Sequence, residues 1–304
     1  MSKFFRFTFL ILTLILFYLS ADVVQKYMYD ILNSDTVYKY TEDLKKFKSD
    51  AFEYKDDEKL IKGISGTNVY VEEDYYIYYT FLNEEEKIMY KQIYANANSA
   101  NASFTPDTNV TPESLEKSVK FVYYDHPELF WLDNSFTYKY DTNNIVKEVT
   151  LEFNETINYL DEAKNNFNNR VSEIISEASN YDNVLDQERF VHNKLLEMVE
   201  YDTNAKLDQT AYSSIVLGRS VCAGYAKAFQ YIMTKLGVPT YYVIGFSETD
   251  HAWNIVKLGD TFVNVDVTWD DQAKYKYSFY NKKDSEFSDN HTRKDESLLL
   301  PSCT

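Results

Sequence analysis

From Cys222 to Leu236 the apolar residues Tyr225, Phe229, Ile232, Met233 and Leu236 recur at three- and four-residue spacing, which predicts a helix with one buried stripe. Gly237 supplies a left-handed stop, Pro239 bars continuation, and Ser220 is placed to cap the start. The pattern then changes. Thr240–Phe246 reads as a strand and Ser247–Asp250 as a loop. His251–Leu258 and Thr261–Trp269 read as the arms of a hairpin about Gly259-Asp260, a favoured two-residue turn. Ahead of this block, a polar helix is expected over Asn154–Ser179, with Ile157, Leu160, Phe167, Val171 and Ile174 on its apolar side. A second is expected over Asp186–Val199, and a short helical turn over Ala211–Leu217, closed by Gly218.

The preceding region has its own punctuation. Tyr70–Phe81 is aromatic and reads as a strand. Asn83 caps a helix with acids in its first turn, running to about Ala97. Asn96–Thr111 reads as a loop, and Pro112 as the first residue of a helix ending near His126-Pro127. Phe130–Tyr140 and Ile145–Phe153 read as strands joined at Asp141–Asn144. The layout is therefore a leader at 1–21, a stalk or packed extension at 22–62, a small α+β module at 63–155, and a second α+β domain at 156–304. No internal repeat is visible.

Charge narrows what this layout can serve. The net charge of −17, with no basic stripe, excludes nucleic acid as a partner, because such binders must displace counterions from phosphates. At the start, Lys3 and Arg6 precede the uncharged run Phe7–Leu19. That run is shorter than the about 20 residues of a spanning helix and fits a secretory signal; counted from Phe4 to Ala21, it also fits an uncleaved membrane anchor. Either way the remainder is expected outside the membrane, membrane-anchored or secreted. Two cysteines, Cys222 and Cys303, permit one disulfide, although Cys303 lies in a terminal segment expected to fray.

Cys222 asks for different chemistry. In the first turn of its helix it meets the positive end of the helix dipole, which favours a thiolate nucleophile. In the hairpin, pairing Leu258 with Thr261 sets Asn254 opposite Val265, Trp253 opposite Asp266 and His251 opposite Thr268. His251 and Asp266 then share a face as diagonal neighbours, about 7–8 Å apart between backbones and within side-chain reach. A one-residue slip would separate them. Cysteine, histidine and aspartate together supply a nucleophile, a proton carrier and an orienting carboxylate.

Val221-Cys-Ala-Gly-Tyr-Ala226, His251-Ala-Trp-Asn254 and Val265-Asp-Val-Thr-Trp-Asp270 closely resemble the three core motifs of the bacterial transglutaminase-like superfamily, over about residues 185–285. The resemblance implies a papain-like core, with Cys222 as nucleophile, His251 as general base and acid, and Asp266 as orienting acid. It also implies acyl transfer on a peptide or protein, ending in hydrolysis or in cross-linking to an amine. Asp125-His-Pro-Glu-Leu-Phe-Trp131 resembles an accessory segment of secreted proteins from Gram-positive bacteria. From the expected location alone, cell-wall or surface proteins are the expected substrates. A non-catalytic surface module on the same fold is the alternative.

Trp253, Trp269, Tyr201 and Gln209 are candidates for the substrate cleft. The Cys222 amide is the natural oxyanion donor, with Tyr201 or Gln209 as a second. His126 and His192 have no second ligand at metal spacing and read as capping or core residues, while His291 reads as solvated in a charged tail. Asp270-Asp271 lacks a calcium-loop pattern, so no metal or other cofactor is expected.

Overall fold

The Asn83 side chain accepts from the Glu86 N–H while the Glu86 carboxylate takes the Asn83 N–H, a reciprocal cap that fixes one helix start. Thr111 caps the next helix, with Pro112 at its first position. In this computed structural model residues 44–55 and 60–304 are described. The expected leader or anchor at 1–21 and the first part of the stalk lie outside the described residues.

The described chain runs from strand β1 (Lys48–Glu53) through the turn-length helix α1 (Ile77–Thr80), helix α2 (Glu84–Asn98), the short strand β2 (Ser103–Phe104) and helix α3 (Pro112–Asp125) to strands β3 (Leu132–Tyr140) and β4 (Val146–Phe153). After a 3-10 turn come helices α4 (Leu160–Ala178) and α5 (Val184–Met198), then strands β5 (Glu200–Tyr201) and β6 (Arg219–Ser220). Helix α6 (Cys222–Lys235) leads into strands β7 (Thr240–Ser247), β8 (Thr249–Leu258) and β9 (Thr261–Val265). Short helices α7 (Val267–Gln272) and α8 (Asp284–Phe287) and strand β10 (Thr292–Arg293) complete the order. One sheet is ordered β1-β3-β4-β2 and a second β10-β7-β8-β9. Among the described residues no helix is long and apolar enough to cross a membrane.

Two early expectations change. Tyr70–Phe81 is not a strand: it ends in α1, whose Tyr78 and Tyr79 N–H groups are taken by the buried Asp125 carboxylate instead of a sheet ladder. Within the expected stalk or packed extension, Lys48–Glu53 pairs in parallel with β3 and forms the edge of the first sheet, its charged residues facing water.

A single apolar core runs beneath both sheets. Tyr78 donates its hydroxyl to the Tyr242 carbonyl at 2.7 Å, and Gln230 donates to the Tyr124 carbonyl at 3.0 Å, so polar bonds cross the same boundary. Helix α6 lies on β7 and β8, where Asn254 donates to the Ala226 carbonyl at 3.0 Å. Its first turn is pressed tightly into the fold. A Cβ on Gly224 would fall 1.9 Å from Ser220 Oγ and 2.8 Å from the Asp208 and Thr210 carbonyls, so only glycine fits there.

Candidate active site

Cys222 is the first residue of α6, as the periodicity predicts, but Ser220 does not cap it. The N-cap residue is Val221, which has no side-chain cap. The Ser220 hydroxyl turns inward, to Ser213 Oγ at 2.6 Å and to the Asp208 carbonyl, while Val221 N–H donates to the same carbonyl. The first-turn amides are thus left without a side-chain acceptor, as a site that must receive developing negative charge requires.

The hairpin register is the expected one from Leu258↔Thr261 to Asn254↔Val265. There the expectation fails: β9 ends, and the predicted pairs of Asp266, Val267 and Thr268 do not form. Asp266 is instead the N-cap of α7, its Oδ1 accepting from the Trp269 N–H at 2.9 Å. Aspartate is among the best capping residues, and here that preference overrides the alternation of Val263, Val265 and Val267. The cap still aims the other oxygen at the first arm, and Asp266 Oδ2 lies 2.6 Å from His251 Nε2.

The Cys222 side chain is within hydrogen-bonding reach of the His251 ring. Nε2 is committed to Asp266, so Nδ1 is left for the sulfur. All three residues are buried. Burial opposes the charged imidazole, but Asp266 and then Cys222 outweigh it and push His251 up to about 10. Burial would raise the Asp266 carboxyl, yet His251 and then His291 hold it well below the usual carboxylate range.

His291 is the residue that sequence reasoning misplaced. It is buried, 5% exposed, and its Nε2 lies 2.9 Å from the same Asp266 Oδ2. Its ring packs 3.9 Å from Phe287 and 5.0 Å from Trp269 between centroids. The surrounding sequence, with Asp289, Asn290, Arg293 and Lys294, hid an inward-facing ring. The ligand atoms of His251, Asp266 and His291 lie within 4.8 Å of one another. A zinc ion would need each of them at about 2.0–2.2 Å. Oδ2 is instead shared by both ring nitrogens at hydrogen-bond distances.

The other candidates separate. Gln209 lines a cavity of about 520 Å³ with Tyr123, Tyr124 and Tyr242. Tyr242, in the wall of this cavity, interacts electrostatically with Cys222. Residues 44–47 form part of its wall: Lys45 N–H donates to Gln209 Oε1 at 3.0 Å and its ammonium meets Asp208 at 2.6 Å. A cavity of about 560 Å³ between Asp74, Val184 and Gly237 contains none of the candidate residues. Trp269 is half-buried beside His251. Trp253 is 1% exposed, donates to Asn264 Oδ1 at 3.1 Å and packs near His251, so it backs the histidine instead of lining a cleft. Tyr201 is buried in β5, paired with Ser220.

His192 is a core residue, bonded at 2.9 Å to Asp270. His126 ends α3, bonded to Tyr90 and Glu128 and packed against Tyr76 and Tyr94. Both cysteines are free, and Cys303 does not fray: it is buried, with backbone bonds to Asp284. Burial and the nearby Asp284 push its thiol up to about 12.

Residues 168–267 match the family model of the transglutaminase-like superfamily. No curated protein matches the chain. Among solved structures the chain is similar to a candidate cysteine protease from Cytophaga hutchinsonii, at 20% identity over 33% of this chain and 37% of that one, with a TM-score of 0.31. It is also similar to a TGase, at 14% identity over 55% of this chain and 50% of that one, again with a TM-score of 0.31. The chain therefore spans half or less of the length of either protein. The matched residues 168–267, similar to the transglutaminase-like superfamily, set a cysteine at the start of a helix laid on an antiparallel sheet in an α+β arrangement.

Proposed function

We propose that Cys222, His251 and Asp266 are a nucleophilic triad that transfers acyl groups from peptide or amide bonds through a thioester. The observation that carries this reading is the buried His251–Asp266 bond at 2.6 Å, together with the start of a helix at Cys222, whose thiol favours the charged His251 ring. His251 holds the thiol proton as imidazolium, and the sulfur attacks the carbonyl carbon. The C–N bond breaks, and the leaving amine takes the proton from His251. In the second half, water or an amine gives a proton to His251 and attacks the thioester carbonyl, and the thiol is regenerated. The Cys222 amide is one oxyanion donor, and Gln209, in the cavity lined by Tyr242, is a better second donor than Tyr201, which is buried in a strand pair.

Peptide or protein chains at the cell surface are the substrates this reading favours. The support for an extracytoplasmic, anchored or secreted location is the basic residues Lys3 and Arg6 ahead of Phe7–Leu19. The test is alkylation by iodoacetamide. Cys222 should react faster than a free thiol and lose that advantage in His251→Ala; a rate at the free-thiol level, indifferent to His251, would sink the enzyme reading and leave a non-catalytic surface module. Casein incubated with and without a labelled amine then separates cross-linking from hydrolysis.

A further inference from the structure

We infer that His291 is a positioning residue for this triad, acting on Asp266 as a second imidazole donor; the inference rests on the thiol-imidazole reading above. Asp266 Oδ2 accepts from both His251 Nε2 at 2.6 Å and His291 Nε2 at 2.9 Å, while Oδ1 accepts from Trp269 N–H at 2.9 Å. Three donors from three segments fix the carboxylate in position and in rotation. A carboxylate held only by the histidine it orients would be free to turn with that ring.

The donor role sets the state of His291. Burial and the neighbouring His251 charge disfavour a second imidazolium, although Asp266 opposes them, and the ring is held below its ordinary range. A neutral ring that donates from Nε2 must accept at Nδ1. The Asn290 atom placed 2.7 Å from Nδ1 is Oδ1, so this tautomer requires the Asn290 amide turned end for end, with its NH2 donating to Nδ1. The packing of Phe287, Trp269 and Trp253 around the imidazole leaves it one orientation.

The consequence for His251 has a definite sign. His291 shares the charge on Oδ2, so it weakens the pull of Asp266 on the His251 proton while improving its aim. The groups facing His251 are Cys222 from α6, Asp266 from the start of α7 and His291 from the loop after α8. Asp250, next along β8, is occupied by Lys294. Only His291 competes for the same oxygen.

The chain has four histidines, so their rings can be followed individually by nitrogen-15 NMR. In the wild-type protein His291 should be the Nε2–H tautomer near neutral pH. An Nδ1–H tautomer would overturn the inference without any variant. In His291→Phe the His251 titration midpoint should rise by roughly half a unit to one unit. Acylation of Cys222 by p-nitrophenyl acetate should slow roughly 10- to 100-fold. His291→Gln, which returns an N–H donor, should recover most of both. A folded His291→Phe with an unchanged midpoint and rate, or a His291→Gln no better than His291→Phe, overturns the inference. His251→Ala is the control: if it leaves acylation unchanged, the triad reading has failed, which is a different result from an unaffected His291→Phe.

Discussion

Two of the buried histidine–aspartate pairs among the described residues, His251–Asp266 and His192–Asp270, have their acids on one short segment. His251 meets Asp266 at 2.6 Å and His192 meets Asp270 at 2.9 Å, and both aspartates are also held by backbone N–H groups, from Trp269 and Phe279. They differ in what the second ring nitrogen meets. His251 has the Cys222 thiol within reach; His192 Nδ1 has no hydrogen-bond partner and its ring sits against Tyr277 and Tyr280. A buried imidazole–carboxylate pair thus serves at His192–Asp270 as a structural tie between α5 and α7. Such a pair becomes machinery only when a nucleophile sits at the far nitrogen.

The largest expected effects test that distinction directly. Cys222→Ala should abolish acyl transfer, and Asp266→Asn should lower it on the order of 10³- to 10⁴-fold, because the amide no longer enforces the His251 tautomer. His192→Phe or Asp270→Asn should leave the specific activity of folded protein within a few-fold. Breaking that pair strands one polar group in the core, so unfolding in denaturant should fall by about 3–5 kcal/mol. If His192→Phe reduced turnover as severely as Asp266→Asn at equal folded fraction, the two pairs could not be told apart and the comparison would fail.

Much of this site was legible because its signals are local. Helical spacing after Cys222 fixed this cysteine at a helix start, and Gly259-Asp260 fixed the hairpin register through Val265. The reading failed where two local rules compete. Asp266 satisfies both an alternating strand and an N-cap, and only the packing of α7 decides for the cap. It failed again where the information is not local. His291 reaches Asp266 from twenty-five positions further along the chain, in a polar tail, and no periodicity marks it. Residues 44–47 likewise reach the cavity by hydrogen bonds to Gln209, Asp208 and Asn134, partners remote in sequence.

The pH dependence of stability separates the two regions by the window in which it acts. His251 is raised from 6.5 to about 10, so its contribution is complete below 6.5 and is lost as pH rises toward 10. Asp266 is lowered, so its contribution is present above 3.8 and is lost as pH falls. Near His192 the slope has the same sign as that of His251 but lies at lower pH. Burial raises the Glu188 carboxyl from 4.5 to about 7, so the folded state prefers it protonated and loses stability as pH climbs between those values. Glu188→Gln should recover up to about 3 kcal/mol at pH 8 and little at pH 4. Asp125, also raised to about 7, keeps the same slope in the background. His251→Gln should instead flatten the alkaline fall. Urea melts from pH 4 to 10 measure both; a Glu188→Gln gain independent of pH would show that the carboxyl is not the cause.

The smallest expected effect concerns how α6 is seated. Asn254 donates to the Ala226 carbonyl at 3.0 Å and is fully buried, joining the His251 strand to the Cys222 helix one turn past the thiol. Asn254→Ala removes that bond and leaves a small void, for roughly 1–3 kcal/mol of stability. Because the bond spans the two elements that carry thiol and imidazole, acylation of Cys222 should also slow several-fold in protein that remains folded. An equal loss of stability placed at Asn96, which is buried in the first region and bonds the Ile64 and Gln92 carbonyls, should leave acylation alone. Matching the two variants for stability and comparing their acylation rates shows whether the seat of α6 serves alignment as well as folding; equal rates would confine Asn254 to the structural side of the comparison.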